Sequence, residues 1–134
     1  MRRTLAIAAA LTLGLSACGS PAAPSKSETD QEQITKVVDS LAAAGTRRDA
    51  EKICTEILAK SLVTELKSAG ADCQTEMDRA IKDATDYDLQ VVSVKVNGRN
   101  ATAQVRQGDK GPVATFTFVK EGDAWKASAL GSGA

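Results

Sequence analysis

At Asp86 the hydrophobic period of the chain changes, and that change limits the folds open to it. Before it, apolar residues recur every three or four positions; after it they alternate, so helices precede strands. Ile34, Val37, Val38 and Leu41 form one stripe behind the capping box Thr29-x-x-Glu32, with Asp30 adding negative charge to the first turn. This helix is expected to end near Ala44, with Gly45 as a left-handed stop. Thr46 to Asp49 reads as a second N-terminus, and Ile53, Cys54, Ile57 and Leu58 share a face behind it. A break is expected near Lys60 and Ser61, after which Leu62, Val63 and Leu66 carry a helical pattern to Gly70. A third helix, starting at Asp72 or Cys73, sets Met77, Ala80, Ile81 and Ala84 at helical spacing.

Beyond Asp86, Val92, Val94 and Val96 alternate with Ser93 and Lys95 up to the hairpin signal Asn97-Gly98. Ala101, Ala103 and Val105 alternate with Thr102, Gln104 and Arg106, and a turn follows over Gly108 to Pro112. Phe116 and Phe118 mark a third strand, and Gly122-Asp123 turns the chain into a fourth, Ala124 to Leu130. Such a meander has one apolar face and one face of Thr, Ser, Gln and Lys. The apolar face needs a cover that only the helices can supply. The expected class is α+β, three N-terminal helices packed on a curved four-stranded antiparallel meander.

Arg2 and Arg3 precede an apolar run at 5–15, broken only by Thr12 and Gly14, and the small residues Ser16 and Ala17 follow. The run falls short of the roughly 20 apolar residues that a helix needs to cross a hydrocarbon core. Leu15-Ser16-Ala17-Cys18 resembles the lipobox of bacterial lipoprotein signals. The resemblance implies cleavage before Cys18, acylation of its sulfur and amino group, and a protein held in the cell envelope, lipid-anchored to the outer face of the cell membrane. Residues 1–17 are then a signal peptide. Residues 18–29, with Pro21 and Pro24 among Ser, Ala, Lys and Glu, are a flexible tether, and 30–134 is the folded domain.

Removing residues 1–17 takes away two arginines and no acid, leaving 15 basic against 17 acidic side chains, a net of −2. That balance gives no electrostatic case for nucleic acid. Histidine is absent, which removes the commonest general base and metal ligand. With Cys18 acylated, Cys54 and Cys73 remain as an even pair. Outside the cytoplasm two thiols in one small domain usually pair, and a structural disulfide is the favoured reading. A zinc site lacks histidine, and a redox couple lacks the C-x-x-C spacing.

Three helices, a meander and the Gly122-Asp-Ala-Trp-Lys126 turn into the last strand resemble the NTF2-like superfamily over residues 30–130. The chain is similar in particular to small actinobacterial lipoproteins of that fold, with one cysteine in helix two and another opening helix three. The resemblance implies a cone-shaped sheet wrapped around a pocket, a fold that hosts isomerases, dehydratases, carriers and interaction modules alike. Candidate pocket-lining residues are the aromatics Tyr87, Phe116, Phe118 and Trp125. Enzymes of the superfamily place an Asp, Tyr, His or Arg inside the cone, and here Asp83, Asp86, Tyr87 and Asp88 form the one such cluster. The simpler role for these four is to satisfy backbone ends between the third helix and the first strand. Arg106 and the Arg47-Arg48 pair read as solvated. The expectation is therefore a monomeric, non-catalytic binding or interaction module, without cofactor or metal, whose partner is the membrane through its anchor and an envelope protein. Carriage of a small apolar or lipid-like ligand is the alternative, and an isomerase- or dehydratase-like enzyme comes third.

Overall fold

The computed structural model describes residues 28–132, in which four α-helices precede four β-strands. Residues 1–27, which include the expected signal peptide, Cys18 and most of the expected tether, lie outside the described residues.

Helix α1, Asp30–Arg47, opens with the expected capping box: the Thr29 hydroxyl accepts from the Glu32 N–H, and the Glu32 carboxylate accepts from the Thr29 N–H. Ile34 and Val38 are fully buried, with Val37 and Leu41 half-buried beside them. The stop at Gly45 is a misreading. Helix α1 runs on to Arg47, and Arg48 is the left-handed cap at φ 57°. Gly45 is buried inside the helix because the Tyr87 ring lies on it: a Cβ there would sit 3.0 Å from Tyr87 Cδ1. The glycine serves close approach, not termination.

The second of the three expected helices is divided. Asp49 caps α2, Ala50–Lys52, through its side chain, and α2 runs into a single π turn, Ile53–Ile57. The wider turn, closed by the Leu58 N–H donating to the Ile53 carbonyl at 2.9 Å, brings Ile53, Ile57 and Leu58 all to the buried side. The break falls at Leu58 and Ala59, just before the expected Lys60 and Ser61, because the sheet takes the backbone there. Leu58 forms a parallel bridge with Ala127, and the Ala59 N–H donates to the Ala127 carbonyl at 2.8 Å. Helix α3, Lys60–Ser68, follows and ends at Gly70 in the left-handed region, where the Ala71 N–H reaches back to the Leu66 carbonyl. Helix α4, Cys73–Asp83, is capped by Asp72, whose carboxylate accepts from the Thr75 N–H and hydroxyl. Those bonds favour the ionised form, led by the Thr75 N–H, and lower the Asp72 pKa from its ordinary value. A disulfide joins Cys54 in the π turn to Cys73 at the start of α4, with the Cα atoms 6.1 Å apart.

The strands β1, Leu89–Asn97, β2, Asn100–Gln107, β3, Val113–Glu121, and β4, Ala124–Ser132, pair antiparallel in the order β1-β2-β3-β4. Gly98-Arg99 and Gly122-Asp123 are two-residue turns with a positive φ at the first position, which glycine adopts without strain. On the inner face alanine meets phenylalanine. Ala101 pairs with Phe118 and Ala103 with Phe116, so the small residues leave room for the rings. The Val92-Val94-Val96 alternation holds only in its second half. Pairing shifts between Val91 and Ser93, which ejects Val92 to 51% exposure and gives Val91 its inward place beside Val94 and Val96.

At the other end of the sheet Asp30 ties the first turn of α1 to the last hairpin. Its carboxylate accepts from Trp125 Nε1 at 2.9 Å and from Lys120 Nζ at 3.0 Å, while the Lys120 ammonium stands 5.5 Å from the Trp125 ring centre. These bonds, the indole one first, lower the Asp30 pKa from its ordinary value.

Candidate functional site

A cleft opens where the C-terminal half of α1, the π turn and α4 meet the end of the sheet farthest from Asp30 and Trp125. Its volume is 330 Å³. Leu41 and Ala42 come from α1, Ile53 from the π turn, Met77, Ala80 and Ile81 from α4, and Leu89, Phe116 and Leu130 from the strands. These side chains reach the cleft because their stripes run past the edge of the sheet: Leu41, Met77, Leu89 and Leu130 pack on the core yet stay half-exposed. A wall drawn from helices and sheet together, apolar with a few polar groups, has the make-up of a small-ligand site.

Three polar residues line the mouth, Asp86, Tyr87 and Gln107. The Tyr87 hydroxyl donates to the Ile81 carbonyl at 2.5 Å. That carbonyl belongs to the last turn of α4, where no further helical N–H can reach it, so the tyrosine completes the helix end. The Asp86 carboxylate accepts from the Asp88 N–H at 2.8 Å, and the Gln107 side-chain amide donates to the Asp86 carbonyl at 2.7 Å. The Gly108 N–H in turn donates to the Asp88 carbonyl at 2.7 Å. The Asp83-to-Asp88 cluster is thus mostly employed in satisfying the backbone between α4 and β1. Asp83, Asp86 and Asp88 are all exposed, and no polar or charged side chain among the described residues is buried.

The four aromatics do not share this cleft. Tyr87 and Phe116 line it, whereas Phe118 is sealed in the core at 2% exposure. Trp125 lies beside a separate hollow of 210 Å³ whose lysines already have partners: Lys36 pairs with Glu28, Lys52 with Glu56, and Lys126 donates to the Glu56 carbonyl. Two larger hollows have a different character. One, of 420 Å³, lies on the Thr, Asn and Lys face of the sheet; the other, of 460 Å³, is formed by the α3–α4 turn and its flanking residues.

Sequence reasoning did not single out Leu41, Met77, Gln107 and Leu130 as site residues. Leu41 and Met77 belong to apolar stripes, and nothing local in the sequence shows where a stripe outruns its sheet. Among the described residues there is no group of three or more His, Cys, Asp or Glu side chains that could hold a metal ion. No helix among them is long and apolar enough to cross a membrane. Neither a family model, nor a curated protein, nor a solved structure matches the chain.

Proposed function

We propose that this is a non-catalytic binding module of the cell envelope, lipid-anchored through Cys18, whose site is the cleft between α1, α4 and the sheet. The observation that carries the reading is that cleft: 330 Å³, walled by half-exposed Leu41, Met77, Leu89 and Leu130 and floored by Phe116. Exposed apolar surface gathered in one concavity costs solvation free energy unless something fills it. A small apolar or lipid-like ligand fits its size, which places carriage ahead of docking onto an envelope protein. The order of helices and meander, with bulges that bend the sheet at Val92, supports the likeness to an NTF2-like cone with its pocket at the open end. The enzyme reading loses ground because each carboxylate next to Tyr87 is exposed, and Asp86 and Tyr87 are engaged with the backbone at the end of α4 and the start of β1.

Two experiments test the two halves. Cys18→Ala should move the protein from the membrane fraction to the soluble one; full retention on membranes would remove the anchor from the proposal. N-phenyl-1-naphthylamine, a neutral apolar dye, should brighten on binding the chain. It should lose that response in Ala80→Trp, where a surface residue of α4 is enlarged to fill the cleft. An unchanged response in a folded variant would mean that the dye, and by extension the ligand, goes elsewhere.

A further inference from the structure

The geometry points to a cationic amphiphile as the occupant of the cleft: a short apolar body with an ammonium head held at Asp86. This rests on the cleft being the binding site and names the class of ligand it takes. At roughly 30 Å³ per water-sized group, 330 Å³ has room for a body of about ten methylene-sized groups.

The charge of the head follows from the mouth. Asp86 is the one charged residue in the lining. Its Oδ1 is engaged by the Asp88 N–H at 2.8 Å, and its Oδ2 has no hydrogen-bond partner among the described residues. Gly108, at φ +68°, lets that oxygen lie close against its backbone, since a Cβ there would collide with Oδ2. The Tyr87 hydroxyl proton is already committed to the Ile81 carbonyl, so it is not free for an anionic head.

The neighbouring charges add to this. The Gln90 amide donates both to Asp88 Oδ2 at 3.1 Å and to Asp109 Oδ1 at 3.0 Å, which draws those two carboxylates together at the same end of the sheet as Asp86. No salt bridge among the described residues neutralises any of the three. Asp83, Lys82, Lys110 and Arg106, the last paired with Gln90 across β1 and β2, are the other charged groups at this end. Four carboxylates against three cations leave it net negative by one charge. A carboxylate or phosphate head would meet like charge at Asp86, whereas an ammonium gains a charge-assisted bond there.

The test uses the chain from residue 18 onward with Cys18→Ala, titrated with octylammonium, octanol and octanoate by calorimetry, each below its aggregation limit. The expected order is octylammonium, octanol, octanoate, with about tenfold between the first and last, falling below about threefold near 0.5 M salt. Asp86→Asn, whose amide oxygen can still accept from the Asp88 N–H, should remove most of the preference while octanol binding stays. Should circular dichroism show that variant unfolded, Asp109→Asn, out on the turn, should still lower the preference measurably. Equal binding of all three probes would overturn the charge selection and leave the cleft as a site. Octanoate binding tightest would also overturn it. Failure of all three to bind would overturn the cleft reading as well.

Discussion

Cutting the Cys54–Cys73 bond is the perturbation whose cost follows most directly from the structure. The bond spans a sequence separation of 19, tying the π turn to the first residue of α4. Chain-entropy reasoning for a loop of that length gives about 3 kcal/mol, nearly all of it from freedom returned to the unfolded chain. Cys73 is buried while Cys54 is half-buried, so replacing both with alanine adds a small void on one side, on the order of 0.5 kcal/mol. The unfolding entropy of a domain this size is roughly 0.2 kcal/mol per kelvin, so the loss converts to a fall in Tm of about 15 °C. The double variant Cys54→Ala/Cys73→Ala, melted by far-UV circular dichroism and in urea, should show that fall. Each single variant should lose nearly as much as the double, because either one removes the same bond. Reductant should bring the wild-type chain down towards the variants and leave the double variant where it is. A fall below about 4 °C, or losses in the singles that add up to that of the double, would refute the argument that the bond acts by tying these two positions together.

Three further outcomes follow. Asp30 holds its proton less tightly when folded, so its contribution to stability is present above its ordinary pKa of 3.8 and is lost as pH falls through the lowered folded value. The stability gap between wild type and Asp30→Asn, read as urea midpoints, should therefore be wide at pH 7 and narrow progressively as pH falls below 3.8; a gap that does not change with pH would contradict the ion-paired role. Phe118→Ala removes a ring buried to 2% between two alanines and should cost about 3–5 kcal/mol in urea unfolding, whereas Val92→Thr, ejected from the core by the bulge, should shift the midpoint by less than about 0.5 kcal/mol. Gly45→Val drives a branched side chain into the Tyr87 ring, so a loss of about 2 kcal/mol or more and a changed tyrosine fluorescence are expected; a neutral effect would mean that the ring does not rest there.

Where a structural feature depends on neighbours in the chain, the sequence shows it. The capping box at Thr29 and Glu32, the Asp72 cap, the glycine turns and the inward alternation of Ala101, Ala103 and Val105 all fall where their local chemistry puts them. Distant partners decide the rest. Gly45 looks like a stop because only the folded chain brings Tyr87 onto it. The break at Leu58 and Ala59 is set by a hydrogen bond to Ala127 on an edge strand, and propensity alone places it a residue or two later. Asp30 looks like an ordinary first-turn acid, yet it clamps Trp125, 95 residues away. The cleft was the least legible part. Alternation and helical stripes identify which residues turn inward, but not where the helices stop covering the sheet, and at that boundary Leu41, Met77 and Leu130 change from core to lining. The aromatics were grouped by type, and the fold separates them by position along the strands: Phe118 lies in the middle of β3, and Trp125 stands at the start of β4 beside Asp30.

Native mass spectrometry on the chain purified from the cells that make it, without delipidation, asks the central question most directly. The account predicts a discrete added mass that is lost on denaturation, carries an amine, and is absent from Ala80→Trp. A clean apo mass in the wild-type chain, or an adduct that persists unchanged in Ala80→Trp, would contradict the cleft as the site of function.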